Sequence, residues 1–118
     1  MVELVIVIAI GSILIALAIP SYQGSVRKSR RADAQKDLME FAGRAERIFN
    51  QNNSYAAVTG FKPDNSDYYN YTFPVTVTAT TYTIRATPKS VQSEDDCGTM
   101  NLTQTGVKTH TGSLAGCW

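Results

Sequence analysis

From Leu4 to Ile19 the chain carries no charge and a single hydroxyl, that of Ser12. A helix on the surface of a soluble domain has one apolar stripe and one polar face. This stretch is apolar on every side, so it needs lipid or further copies of itself around it. About sixteen residues at 1.5 Å each make roughly 24 Å of helix, short of the ~30 Å hydrocarbon core of a bilayer. Such a segment is a marginal anchor alone and a better one if it also leaves lipid for a protein bundle. Gly11 and Ser12 soften its centre. Pro20 has no N–H for the carbonyl of Ala16, which predicts a bend or a loosening there.

One acid stands at the head of this stretch. Glu3, flanked by Val2 and Leu4, is costly at a membrane-embedded end unless it finds a positive partner. The other reading places it at headgroup level, favoured by the positive end of the helix dipole.

Polar residues arrive at once beyond Pro20, in Ser21-Tyr22-Gln23-Gly24-Ser25-Val26 and then Arg27-Lys28-Ser29-Arg30-Arg31. Four bases just past an apolar segment usually mark the cytoplasmic side. Here they either meet anionic headgroups or acids of neighbouring subunits, or form a solvated face. From Arg30 to about Gln51 the apolar residues Ala34, Leu38, Phe41, Ala45 and Ile48 recur at steps of four and three. That spacing predicts an amphipathic helix, continuous with the apolar one, whose stripe covers a sheet. Asn50-Gln51-Asn52-Asn53-Ser54 should end it.

The stretch Tyr55 to Asp67 contains Gly60, Pro63, Asp64, Asn65 and Ser66 and reads as a long surface loop. Alternation then predicts a strand over Tyr69–Val77, with Pro74 marking an edge or a bulge, and a second over Tyr82–Thr87 after a Thr-rich turn. The two should pair as an antiparallel hairpin. A third strand is expected around Thr99–Thr103, with Gly106–Thr109 turning into a fourth. The fold class is therefore α+β: a long N-terminal helix, hydrophobic in its first half and amphipathic in its second, on an antiparallel sheet of about four strands. Residues 1–20 form the apolar helix and residues 21–118 the globular head.

Composition narrows the function. The 118 residues carry a formal charge of +1 with acids and bases nearly balanced, so nothing points to nucleic-acid binding driven by overall charge. Once the apolar helix is set aside, roughly ninety residues remain for one small core. His110 is the single histidine, so neither a multi-histidine metal site nor a Ser/His/Asp arrangement with a spare base can be built, and it reads as an exposed loop residue. There is no Gly-rich dinucleotide motif and no P-loop. Glu94-Asp95-Asp96 would suit a hard cation, but the alternating ligand spacing of calcium loops is missing, which favours a solvated loop. Asn52-Asn53-Ser54, Asn70-Tyr71-Thr72 and Asn101-Leu102-Thr103 match the short glycosylation triplet. No cofactor is called for, and no catalytic site.

The run Val2-Glu3-Leu4-Val5-Ile6-Val7-Ile8-Ala9-Ile10, followed by Pro20 and Ser21-Tyr22-Gln23, resembles the N-terminal helix of type IV pilins and the related type II secretion pseudopilins. The family pattern is a Phe-Thr-Leu-Ile/Val-Glu-Leu start, a hydrophobic run, and a proline seventeen residues after the glutamate, a spacing that Glu3 and Pro20 reproduce. The chain departs from it in two places. Two residues, usually Phe-Thr, are missing before Met1, and the glycine falls at Gly11, with Ser12 where the family commonly has it. No separate cleavable signal precedes Met1, so any leader is expected to be gone.

The resemblance implies a homo-oligomer, a helical filament of many copies. Its apolar helices bundle in the core, and Glu3 pairs with the N-terminal amine of an adjacent subunit. It further implies a stay in the bacterial inner membrane before assembly, then an extracellular pilus, with prepilin peptidase and the pilus assembly machinery as partners and an N-methylated first residue. Motility, adhesion and DNA uptake are all open, as is a DNA or surface ligand. A type II secretion pseudopilin, a low-copy minor pilin that primes assembly, and a membrane-tethered binding domain that never polymerises are the alternatives. Cys97 and Cys117 fit one bridge in an oxidising compartment, with two free thiols as the other reading. The bridge would close about twenty residues and contribute on the order of 3 kcal/mol. In pilins the segment so closed faces outward, and Trp118 after Cys117 matches a frequent pilin ending, here as a residue packing on the bridge.

Overall fold

A computed structural model describes residues 1–118, apart from the side chains of residues 17–21 and 23. The softening assigned to Pro20 lies outside the described residues. Helix α1, Val2–Asn52, is followed by a short 3-10 turn, Ala56–Phe61. Four strands complete the head: β1 (Tyr69–Thr72), β2 (Thr83–Pro88), β3 (Met100–Thr103) and β4 (Lys108–His110). They form one antiparallel sheet in the order β1-β2-β3-β4. The longest extent of the molecule is 76 Å, which is what 51 residues of α1 span at about 1.5 Å each.

The second half of α1 is held by the stripe its sequence predicts: Ala34, Leu38, Phe41, Ala45 and Ile48 are all buried. Side chains alternate across a strand, so every second residue of the sheet faces this stripe. Tyr71, Ala86 and Met100 stand opposite one another in register, as do Ile84 and Leu102, and all five are buried. Phe41 meets Tyr82 edge-on with ring centroids 5.4 Å apart, and Phe49 stacks on Tyr55 at 4.6 Å. The helix stops at Asn53, in the left-handed region at φ 54°, whose N–H bonds the carbonyl of Phe49. Asparagine tolerates that conformation better than most residues.

Three expectations need correction. Strand β1 ends at Thr72, five residues before Val77. Pro74 offers no donor to a ladder, so the chain leaves the sheet there. Phe73 packs on Phe41 and Val75 stands in solvent. The stretch after Ser54 is more than a surface loop, because its 3-10 turn buries Val58 and follows a buried Tyr55. His110, expected in an exposed loop, closes strand β4 and is half-buried, with Nδ1 3.1 Å from the carbonyl of Gly112.

Cys97 and Cys117 are bridged and buried. The segment between them is no loose loop, since it contains the β3–β4 hairpin. Gly112 is required where the hairpin returns past the bridge: a Cβ there would run into the carbonyl oxygen of Asp96. Trp118 packs against the core and donates its indole N–H to the carbonyl of Thr109.

The tyrosines in this core make stability depend on pH. Burial, then the phenol of Tyr55 and the carboxylate of Glu46, pushes Tyr82 up to about 12. Burial and then a hydrogen bond to Asp37 also raise Tyr71. Tyr55 has a buried ring but a hydroxyl at the surface, and its bond to Glu46 is the first cause of its rise to about 12. The unfolded chain releases these protons near the ordinary tyrosine value of about 10. Stability is therefore complete below about pH 10 and falls as pH climbs from there through about 12, by about 1.4 kcal/mol per pH unit for each buried tyrosine. Melting curves of the detergent-solubilised chain between pH 9 and 12 should show this fall; in a Tyr22→Phe/Tyr68→Phe background, which leaves only the buried tyrosines, tyrosinate absorbance should appear together with loss of circular dichroism. Tyrosinate that forms while the dichroism stays intact contradicts the assignment.

Candidate assembly interface

Over residues 2–16 helix α1 projects from the head, and among the described residues its large apolar side chains stand uncovered. Val2, Leu4, Val5, Ile6, Val7, Ile8, Ile10, Ile13, Leu14 and Ile15 are each more than half exposed. Fully covering a side chain of this size is worth about 1.5–3 kcal/mol, so the ten, with roughly six-tenths of their surface still open, represent about 10–20 kcal/mol of uncovered apolar surface. Glu3 is exposed on the first turn, and among the described residues no cation of the chain lies within salt-bridge distance of it. Helix α1 runs through Gly11 and Ser12 without a break, and the Ser12 hydroxyl donates to the carbonyl of Ile8. Side chains on this side are described up to Ala16, and among the described residues no helix is long and apolar enough to cross a membrane.

At the neck the basic cluster does something the sequence did not foretell. Arg27 reaches Glu94 at 2.7 Å. Arg31 makes a two-pronged pair with Asp95, Nε to Oδ2 and Nη2 to Oδ1, both 2.9 Å, a geometry that suits a guanidinium and a carboxylate. Arg30 lies over the ring of Tyr68, 3.8 Å from its centroid. Three of the four bases thus turn to their own head. The acids in question are also those considered for a cation, and Glu94 and Asp95 are committed to arginines instead.

Asp95 is 6% exposed and sits in a closed polar cluster. It accepts from Tyr69 Oη, from Gln92 Nε2 and from the backbone N–H of Cys97. Gln92, fully buried, also donates to the carbonyl of Arg27 at 2.9 Å. One helical turn on, Gln35 donates to the carbonyl of Cys117. Both ends of the disulfide are therefore fastened to α1, one through Arg31 and Asp95, the other through Gln35. Sequence reasoning missed this cluster, because its contacts join residues up to 82 positions apart and each alone reads as a solvated polar residue.

An α+β head clamped to the second half of one helix, with the first half left bare and apolar, defines a subunit built to be covered by others or by lipid. Comparison with known proteins names the class. Residues 20–101 match the family model described as "Type IV minor pilin ComP, DNA uptake sequence receptor". A type IV pilin from Shewanella oneidensis, solved at high resolution, is 32% identical with a TM-score of 0.66 over 78% of this chain and 97% of that one. The Neisseria meningitidis non-core minor pilin PilV superposes with a TM-score of 0.63 at 21% identity, over 78% of this chain and 93% of the other, a likeness of fold alone. No curated protein sequence matches. The chain belongs to the type IV pilin family, as its N-terminal motif implied. Its relatives are structural pilins rather than enzymes.

Proposed function

We propose that this protein is a structural subunit of a type IV pilus filament, without chemistry of its own, which polymerises through α1. The uncovered apolar half of α1 is the observation that carries the reading. In the filament, residues 1–20 form the core and residues 21–118 the outer coat. Before assembly the same residues sit in the inner membrane, where prepilin peptidase and the assembly machinery meet them; afterwards the subunit is extracellular. Glu3 pairs with the N-terminal amine of an adjacent copy, and Gly11, Ser12 and Pro20 let the helix adjust to the bundle.

Material sheared from cells and imaged with antibody to this chain tests the reading. Long labelled filaments support a pilus, whereas chain found only as unassembled membrane protein overturns it. Short envelope-bound assemblies would point to a secretion pseudopilin instead. A second reading follows from the family model over residues 20–101: a low-copy minor pilin that receives DNA. It calls for sparse labelling along or at the tip of filaments made of another subunit, and for DNA binding that weakens steeply with salt.

A further inference from the structure

The 3-10 turn Ser90–Glu94 is built inside out. Its polar Gln92 is fully buried, bound to the carbonyl of Arg27 and to Tyr69 Oη, while its apolar Val91 is 59% exposed. Ser90 enters the turn at φ 54°, in the left-handed region, and its carbonyl accepts from Ser93 Oγ. The turn is thus pegged to α1 by Gln92 in a way that holds Val91 outward. Water alone would favour the reverse arrangement.

Val91 borders a cleft of about 310 Å³ lined by Tyr22, Val26, Arg27, Arg30 and Glu94. Two guanidiniums face one carboxylate there, and Tyr22 is 70% exposed. Lys28 is exposed at the same level of α1, but two residues beyond Val26 it projects from the opposite flank of the helix.

The position of this face is set by the stem. Tyr22 follows the last residue of the apolar run, Ile19, by about 4.5 Å of helix rise. The run, at roughly 24 Å against ~30 Å of hydrocarbon, is too short for the bilayer, and a short run draws its flanking residues into the headgroup layer. Helix side chains also lean towards the N-terminus, here towards the bilayer. An amphipathic aromatic at that depth, and cations that start roughly 14–17 Å beyond Ile19 and reach back on long side chains, match what headgroups accept: rings at the interface and bases against anionic lipid.

We propose that this neck, with Tyr22, Val91 and the open edge of Arg30 on one flank of α1 and Lys28 on the other, docks the unassembled subunit onto an anionic bilayer surface. The inference rests on the membrane stage of the proposed function. Docking fixes the head at a set height and tilt above the membrane, and assembly must release it.

The test uses the full chain reconstituted in vesicles of phosphatidylcholine with or without phosphatidylglycerol. Val91→Cys carries an environment-sensitive dye; the native cysteines are bridged and buried and do not compete for it. A dye at Val75→Cys, exposed in the connection between β1 and β2, is the reference. With phosphatidylglycerol the Val91 dye should shift to the blue and be quenched by headgroup-labelled lipid, while the Val75 dye stays in water. Lys28→Glu, with an unchanged melting temperature, should weaken this docking at least about fivefold, the loss expected for one cation near an anionic surface. A Val91 dye that behaves like the Val75 dye in a fully reconstituted protein overturns the proposal. Failure to incorporate into vesicles at all overturns the membrane stage instead, so the two failures are distinct.

Discussion

Glu3→Ala should abolish filaments while leaving the protein in the membrane. In the proposed pairing, Glu3 meets the N-terminal amine of a neighbour inside an apolar bundle, where each charge satisfies the other. Removing one partner of a buried pair leaves the second uncompensated, at a cost of about 3–5 kcal/mol. Since 1.4 kcal/mol is a factor of ten, the concentration needed for assembly rises by about two to three and a half orders of magnitude. Insertion does not suffer, because alanine is easier to place in lipid than a carboxylate. Sheared fractions should therefore lose the chain and membrane fractions retain it. An undiminished filament yield from Glu3→Ala would remove Glu3 from the mechanism. Glu3→Gln separates charge from shape: it keeps the length of the side chain and should fail almost as badly as alanine.

The parts of this molecule that sequence reveals are those governed by neighbours in the chain. The stripe Ala34, Leu38, Phe41, Ala45 and Ile48 follows from the helical period alone, and all five are buried. The antiparallel pairing of β1 with β2 follows from alternation. The bare stem is legible for a different reason: no polar face is present, so no arrangement of this one chain could cover it. What sequence hides is decided across distance. Strand β1 reads as nine residues by alternation, but Pro74 ends it at Thr72. Two strands are legible in the segment between the cysteines, but not that α1 holds both of its ends, through Asp95 and through the carbonyl of Cys117.

The neck shows the same limit most clearly. A run of four bases beside an apolar segment suggests the membrane or another subunit, and a run of three acids suggests a cation. Each reading treats its cluster alone. In the folded chain Arg27 and Arg31 meet Glu94 and Asp95, and the cations left over for the outside are Lys28 and the open edge of Arg30.

Asp95→Ala should be the most damaging substitution in the head, and the double variant Arg31→Met/Asp95→Leu much milder. Asp95 is 2% exposed at its side chain and Arg31 12%. Removing the carboxylate strands a nearly buried guanidinium and takes acceptors from Tyr69, Gln92 and the Cys97 N–H. That is the case in which a buried pair costs about 3–5 kcal/mol when broken. Gln92 Oε1, without a partner among the described residues, is a spare acceptor, but a neutral amide oxygen does not neutralise the stranded guanidinium. Replacing both members by apolar residues of similar size removes the stranded charge, and such exchanges are commonly neutral or even stabilising. Here some cost remains, because Tyr69 and Gln92 lose a partner; about 1–3 kcal/mol is expected. Urea unfolding of the two variants in detergent measures the difference directly. Equal destabilisation would mean that the pair acts by its hydrogen-bond geometry and not by mutual neutralisation. A double variant close to wild type would mean that the pair adds little net stability and serves to position the disulfide and the Val91 turn against α1.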